Sequence, residues 1–189
     1  MALKNTEISY GSVAKAFHWG MFIILAGLVI LGNYMSDLPT DTPDQVSYKF
    51  DLYGLHKSFG ILILFLVVLR LIWRKMNSVP KMPDTMSRLE NVSAHAMHML
   101  LYAIMLLQPV FGWLLSSYES NAVKFFGLEL PALVGKNKEM GELFEELHEV
   151  TAGLLVTAFV VHVAAALYHH YVRKDDVMDR MSLRPKKPE

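Results

Sequence analysis

The 189-residue sequence contains no cysteine. That absence excludes disulfides, thiolate zinc and iron–sulfur sites, a nucleophilic thiol, and covalent haem attachment through a Cys-x-x-Cys-His element. Histidine is the side chain left to hold a transition metal. Net charge is lacking too: 18 Lys and Arg balance 18 Asp and Glu, and no block of like charge forms a tail. Without a basic field the sequence argues against nucleic-acid binding. What the chain has in quantity is apolar side chains, 53% of the total, and length enough for one domain, residues 1–189.

The apolar residues collect into four runs, Phe17 to Met35, Leu55 to Trp73, Ala94 to Ser117 and Leu147 to Tyr171, of 19 to 25 residues each. At 1.5 Å per residue such helices cover roughly 28 to 37 Å, enough for a hydrocarbon core of about 30 Å. A soluble bundle with four such runs would keep almost no polar surface for water, so the runs predict spans 17–35, 55–73, 94–117 and 147–171. The first follows a weakly basic start and has no small-x-small cleavage site after it, which predicts a retained span rather than a secretion signal.

Orientation follows from Lys and Arg. Twelve fall in the N-terminal segment, the second connection and the C-terminal tail (Lys4, Lys15, Arg74, Lys75, Lys81, Arg88, Arg173, Lys174, Arg180, Arg184, Lys186 and Lys187), against Lys49, Lys124, Lys136 and Lys138 in the first and third connections. The positive-inside rule predicts both termini in the cytoplasm. The fold expected is all-α, an integral membrane four-helix bundle. The acidic first and third connections lie outside, and Lys124 to Leu133 in the third predicts a short element on the membrane surface. Pro80 and Pro83 punctuate a short second connection, making spans two and three antiparallel neighbours. Pro109 and Gly112 predict a kink in span three. No internal repeat is present.

All eight histidines lie in or at the edges of these spans, where an ionisable residue is a functional hypothesis by default. With spans one and three running outward and two and four returning, His18 and His162 share an inner depth, and His56 and His148 an outer one. His148 and His162 are fourteen residues apart on one helix. At about 100° per residue that spacing falls about 40° short of four turns, so both project from nearly one face. The pattern suits two opposed imidazole pairs, one near each surface, able to give bis-histidine ligation to two haems. An iron so ligated has no open position for oxygen, which favours electron transfer. Ala152, Gly153 and Ala166 leave room for a flat macrocycle beside the helix. The plainer alternative for any one of these histidines is an interhelical hydrogen bond.

His95 and His98 sit at the inner mouth of span three, where a histidine needs no special reason. His169 and His170 fall in an interfacial belt with Tyr171 and Arg173, where supporting a ligand histidine or binding a quinone competes with simple anchoring. Arg70 lies fourteen residues after His56, on the same side and near the inner pair, where a haem propionate would be a partner; otherwise it must snorkel. Lys57 and Glu149, directly after the outer histidines, pair, tune that site or are solvated.

These residues resemble the bacterial cytochrome b561 family, four-helix dihaem cytochromes. The matching pieces are Tyr10, Phe17-His18-Trp19, Leu55-His56-Lys57-Ser58-Phe59-Gly60, Val68-Leu69-Arg70, Ala94-His95-Ala96-Met97-His98 and Pro109-Val110-Phe111-Gly112. To these the chain adds Phe125-Phe126-Gly127-Leu128 with Pro131, His148-Glu149, His162 through Tyr171, and Lys174-Asp175. The most specific part is His-x13-His followed by the closing His-His-Tyr. The resemblance covers nearly the whole chain and implies two b haems on His18, His56, His148 and His162 in a bacterial inner membrane. Its stand-alone members imply a superoxide oxidase that passes electrons to ubiquinone, with His169 helping to bind the quinone. Leu147, before His148, replaces an aromatic of close relatives. Six outer glutamates repel an anionic donor unless Lys57, Lys124, Lys136 and Lys138 gather locally.

Three readings follow. In the first the chain is a membrane oxidoreductase carrying electrons from superoxide to quinone. In the second it is the haem-bearing anchor of a periplasmic dehydrogenase or hydrogenase. In the third the histidines form a metal-ion or proton pathway, and the protein is colourless.

Overall fold

The computed structural model describes residues 2–83 and 85–183. Arg184, Lys186 and Lys187, which entered the orientation count, lie outside them. Four long helices dominate: α1 (Ser12–Ser36), α2 (Pro43–Met76), α3 (Arg88–Tyr118) and α4 (Lys138–Tyr168). All four are long and apolar enough to cross a membrane. A π-helical turn (His169–Arg173) continues α4, and a 3₁₀ turn (Asp179–Met181) follows.

α2, α3 and α4 begin well before their apolar runs because their N-termini are capped in polar sequence, whereas α1 follows Gly11 with no side-chain cap. Thr42 accepts from the Gln45 backbone N–H while the Gln45 side chain returns to Thr42, with Pro43 at the first turn, so α2 begins twelve residues before Leu55. Ser87 and Glu90 make the same reciprocal box on α3, and the Asn137 side chain accepts from Met140 to start α4. The apolar runs mark the membrane-matched part of each helix, and the caps mark where α2, α3 and α4 truly begin.

The bundle wears its apolar residues outside. Ile23, Phe65, Leu69, Leu154 and Val160 are each more than half exposed, while the buried cluster is small: Met21, Ile63, Val67, Ile104, Met105 and Leu155. That inversion suits lipid as the solvent. Helices neighbour one another in chain order, α1 on α2, α2 on α3 and α3 on α4. Phe22 stacks on Phe159 at 5.5 Å between ring centres to bring α1 to α4.

The surface element expected over 124–133 is a β-hairpin, β1 (Val123–Phe125) paired antiparallel with β2 (Leu128–Leu130). Its two-residue turn puts both Phe126 (φ 48°) and Gly127 (φ 95°) in the left-handed region, the backbone that matches strand twist. Ser58 pins it to α2: its hydroxyl donates to the Lys124 carbonyl at 2.8 Å and accepts the Phe126 N–H at 3.1 Å. Phe59 meets Phe126 edge-on at 5.4 Å.

Candidate functional site

At the level that the charge count assigns to the outside, α2 presents His56 and α4 presents His148, with ring centres 6.3 Å apart. His148 is fixed by Gln108, the residue before Pro109 in α3. The Nδ1–H of His148 donates to the Gln108 carbonyl at 3.0 Å, since a carbonyl only accepts, and the Gln108 side chain donates to the His148 carbonyl at 2.9 Å. The Thr151 hydroxyl reaches the Gln108 side-chain oxygen and completes the clasp. A histidine held at Nδ1 leaves Nε2 as the free nitrogen, the arrangement that orients an axial ligand.

Two glycines let neighbouring backbones approach these rings. A Cβ on Gly112 would stand 3.0 Å from Cε1 of His148, and one on Gly32 would stand 3.4 Å from Cε1 of His56. His56 Nδ1 is buried and, among the described residues, has no hydrogen-bond partner. A cavity of about 130 Å³ opens beside the pair, lined by Lys57, Gly60, Gly112 and Trp113 among others.

At the inner level, His18 of α1 faces His162 of α4 at the same centre-to-centre distance, 6.3 Å. His98 of α3 joins them, its ring 5.6 Å from that of His162. Arg70 donates toward His18 Nδ1 at 3.5 Å and lies 5.3 Å over the Tyr102 ring; among the described residues no carboxylate pairs with it. An arginine at the centre of a span costs about 3 kcal/mol on insertion scales and less toward its ends, and Arg70, three residues before the end of the 55–73 run, calls for an anion or a route to the surface.

The spacing carries a direct test of fit. A metal–imidazole nitrogen bond is about 2 Å and that nitrogen lies roughly 1.2 Å from its ring centre, so two rings on opposite sides of one ion stand about 6.4 Å apart. Both 6.3 Å pairs meet that value, and His98 at 5.6 Å is too close to His162 to stand opposite it. Among the described residues no three His, Cys, Asp or Glu side chains gather to hold a bare metal ion. Two imidazoles with a small-residue margin instead suit an ion whose equatorial positions are already filled, as a haem iron's are.

The structure thus brings His18 to His162 and His56 to His148, and sets Arg70 beside the inner pair. His95 stands apart from both, exposed, with Nδ1 on the Asn91 carbonyl at 2.8 Å. His169 is buried beyond the inner cluster, at the end of α4, and His170 packs on Tyr171. The sequence carries no signal for Gln108, whose carbonyl orients His148, and sets His98 at the helix mouth rather than beside His162. The start of α3 at Arg88 would have revealed His98, since ten residues put it about 15 Å along the helix, at the depth of the inner pair.

Comparison with known proteins places the chain among bacterial membrane cytochromes. A family model described as prokaryotic cytochrome b561 matches residues 9–182. Cytochrome b561 homolog 2 of Escherichia coli (strain K12) is 32% identical over 186 residues, covering 96% of this chain and 95% of that protein. Cytochrome b561 homolog 1 of the same organism is 31% identical over 131 residues, 69% of this chain and 74% of its own. A probable superoxide oxidase, CybB, of Yersinia pestis is 27% identical over 178 residues, 94% and 97% of the two chains.

Proposed function

The chain belongs to the prokaryotic cytochrome b561 family, which makes it a multi-pass bacterial membrane haem protein, and from that premise we propose that it is a superoxide:ubiquinone oxidoreductase of the inner membrane. One observation carries the electron-transfer part of this reading: two histidine pairs, each 6.3 Å apart, share α4 at two depths. His56 and His148 hold the outer b haem, and His18 and His162 the inner one. When bound, these groups supply one-electron chemistry across the bilayer. The chain's own part is to bring the two ring pairs together, to fix His148 through Gln108 so that its Nε2 is free, and to offer Arg70 as counter-charge to a carboxylate.

The donor and acceptor rest on the likeness to the Yersinia pestis protein and on two side chains. Lys57 lines the outer cavity, next to His56, and gives an anionic donor one positive charge at the mouth of that pair. His169, at the inner end of α4, is the quinone contact. Both termini lie in the cytoplasm, and residues 1–189 act as one domain.

The test is the visible spectrum of the purified oxidised protein as superoxide is supplied, first without and then with ubiquinone. The expected result is b-haem bands that superoxide reduces quickly and quinone reoxidises. Bands that stay oxidised under superoxide would make the chain an electron carrier or anchor whose donor is another protein. A colourless protein would return the histidines to a proton or metal-ion pathway. Within the inner cluster, His98→Ala is expected to keep both haems, counted as haem per polypeptide. Loss of the inner one would reassign the ligand set.

A further inference from the structure

The inner end of α4 carries a histidine–carboxylate pair that the proposed electron path does not use. Nδ1 of His169 lies 2.6 Å from a carboxylate oxygen of Asp175, and the two side chains are only 10% and 7% exposed. The other Asp175 oxygen accepts the Val177 N–H at 3.1 Å. The turn that brings Asp175 back is built on His169 itself, whose carbonyl accepts the backbone N–H groups of Lys174 and Asp175. Lys174 takes left-handed backbone (φ 54°) to allow it. The helix changes to π-helical at His169–Arg173, a form that is rare and concentrated at functional sites.

This geometry leaves one ring nitrogen with a job. A carboxylate only accepts, so Nδ1 of His169 carries the hydrogen and Nε2 is the nitrogen left for a ligand. His169 follows His162 by seven residues, two helical turns or about 10 Å, on nearly the same face. A clasp for the tail would not need this pair. The tail is already tied down by Lys15 donating to the Ser182 carbonyl at 2.7 Å, by Trp19 donating to the Met181 carbonyl at 3.0 Å, and by Arg173 paired with Glu90 at 3.6 Å. Burying a carboxylate and an imidazole as one more tether is a poor exchange for stability.

We propose that Asp175 is the positioning residue of the quinone site: by holding Nδ1–H it fixes the His169 ring so that Nε2 meets the quinone oxygen that must gain a proton. This rests on the reading of His169 as the quinone contact. The overall step balances as two superoxide anions, one quinone and two protons giving two dioxygen molecules and one quinol. Superoxide is oxidised and quinone reduced. For each proton the neutral ring first takes one at Nε2 from water at the inner surface, becoming an imidazolium that the Asp175 carboxylate stabilises, and then releases it from Nε2 as the new quinol O–H bond forms. The Nδ1–H stays on Asp175 throughout, so the ring cycles without turning.

The experiment compares haem-loaded wild type, Asp175→Asn, Asp175→Glu, His169→Ala and the His169→Ala/Asp175→Asn double variant in superoxide-driven reduction of a short-chain ubiquinone. Nitrogen-15 NMR of histidine-labelled protein is recorded beside it. With its oxygen kept on the Val177 N–H, the Asn amide turns its NH2 toward Nδ1 and so selects the opposite tautomer. Asp175→Asn is expected to lower kcat at least ~10-fold, the scale of a displaced general acid, with KM for quinone and haem content held. The signal absent from His169→Ala should move from the Nδ1–H to the Nε2–H tautomer. Asp175→Glu should recover part of kcat, and the double variant should be no slower than His169→Ala alone.

A wild-type kcat in Asp175→Asn beside a slow His169→Ala overturns the proposal and spares the reading beneath it. So does a double variant slower than His169→Ala, which would make Asp175 a tail anchor. A wild-type rate in His169→Ala removes the quinone contact itself and the proposal with it. Should Asp175→Asn not accumulate, kcat and tautomer in Asp175→Glu decide: a fall in kcat without a fall in haem content supports the proposal, and no change in either overturns it.

Discussion

His148→Ala is expected to leave the protein with one haem in place of two. His148 and His56 are the only two imidazoles at the outer level among the described residues, and His148 is the better anchored, held at Nδ1 by Gln108 while His56 Nδ1 has no partner. Removing the anchored ring takes away one ligand and the element that sets the direction of the bond. The inner pair lies fourteen residues further along α4, separated by the packed cluster of Met21, Ile63, Val67 and Leu155, and should be untouched. His56→Ala should give the same half-loading. His18→Ala and His162→Ala should remove the other half, so that the His148→Ala/His162→Ala protein is colourless. Haem per polypeptide, measured on extracted haem, reads all of these. Full loading in His148→Ala would refute the pairing.

Gly112→Leu should be nearly as severe without removing any ligand. The first carbon of any side chain at 112 stands 3.0 Å from Cε1 of His148, tighter than nearly all real contacts, and Gln108, which holds both the ring and the backbone of His148, limits how far it can give. A branched side chain in that place must displace the ring from its line with His56, so the outer haem should be lost. Gly112→Ala asks for a shift of a few tenths of an ångström and should weaken outer loading. Gly32 is the control: its Cβ would meet His56 at 3.4 Å, an ordinary van der Waals distance, so Gly32→Ala should load fully. Equal loading in Gly32→Ala and Gly112→Leu, by the same haem count, would show that the clearance over His148 sets nothing.

Which juxtapositions are legible from spacing along the chain and which are not has a physical cause. The interval from His148 to His162 lies on one helix, where rise and rotation per residue are fixed, so depth and face follow from counting. The pairing with His18 and His56 followed because each span has only two ends. His98 was placed at the helix mouth because the apolar run begins at Ala94, whereas the cap at Ser87 starts α3 well before it. Asp175 could not be paired with His169 from spacing alone: six residues apart is no helical neighbour, and only the π-helical turn with left-handed Lys174 brings them together. The hairpin went unread as strands because three-residue strands show too little alternation, though Phe126-Gly127 marks its turn. Arg70 was placed at the inner pair and stands there, next to His18, with no carboxylate of the described chain as its partner.

Both ring pairs draw one member from α4, and the segment that covers the inner end of α1, through Ser182 and Met181, follows α4 in turn. During synthesis, therefore, the first three helices enter the membrane with His18 and His56 facing no counterpart. Neither pocket exists until the last helix arrives, and the tail then closes over Lys15 and Trp19. Biogenesis is ordered by the chain itself: insertion comes first, loading second, and a polypeptide truncated before His148 carries half of each site and the whole of none.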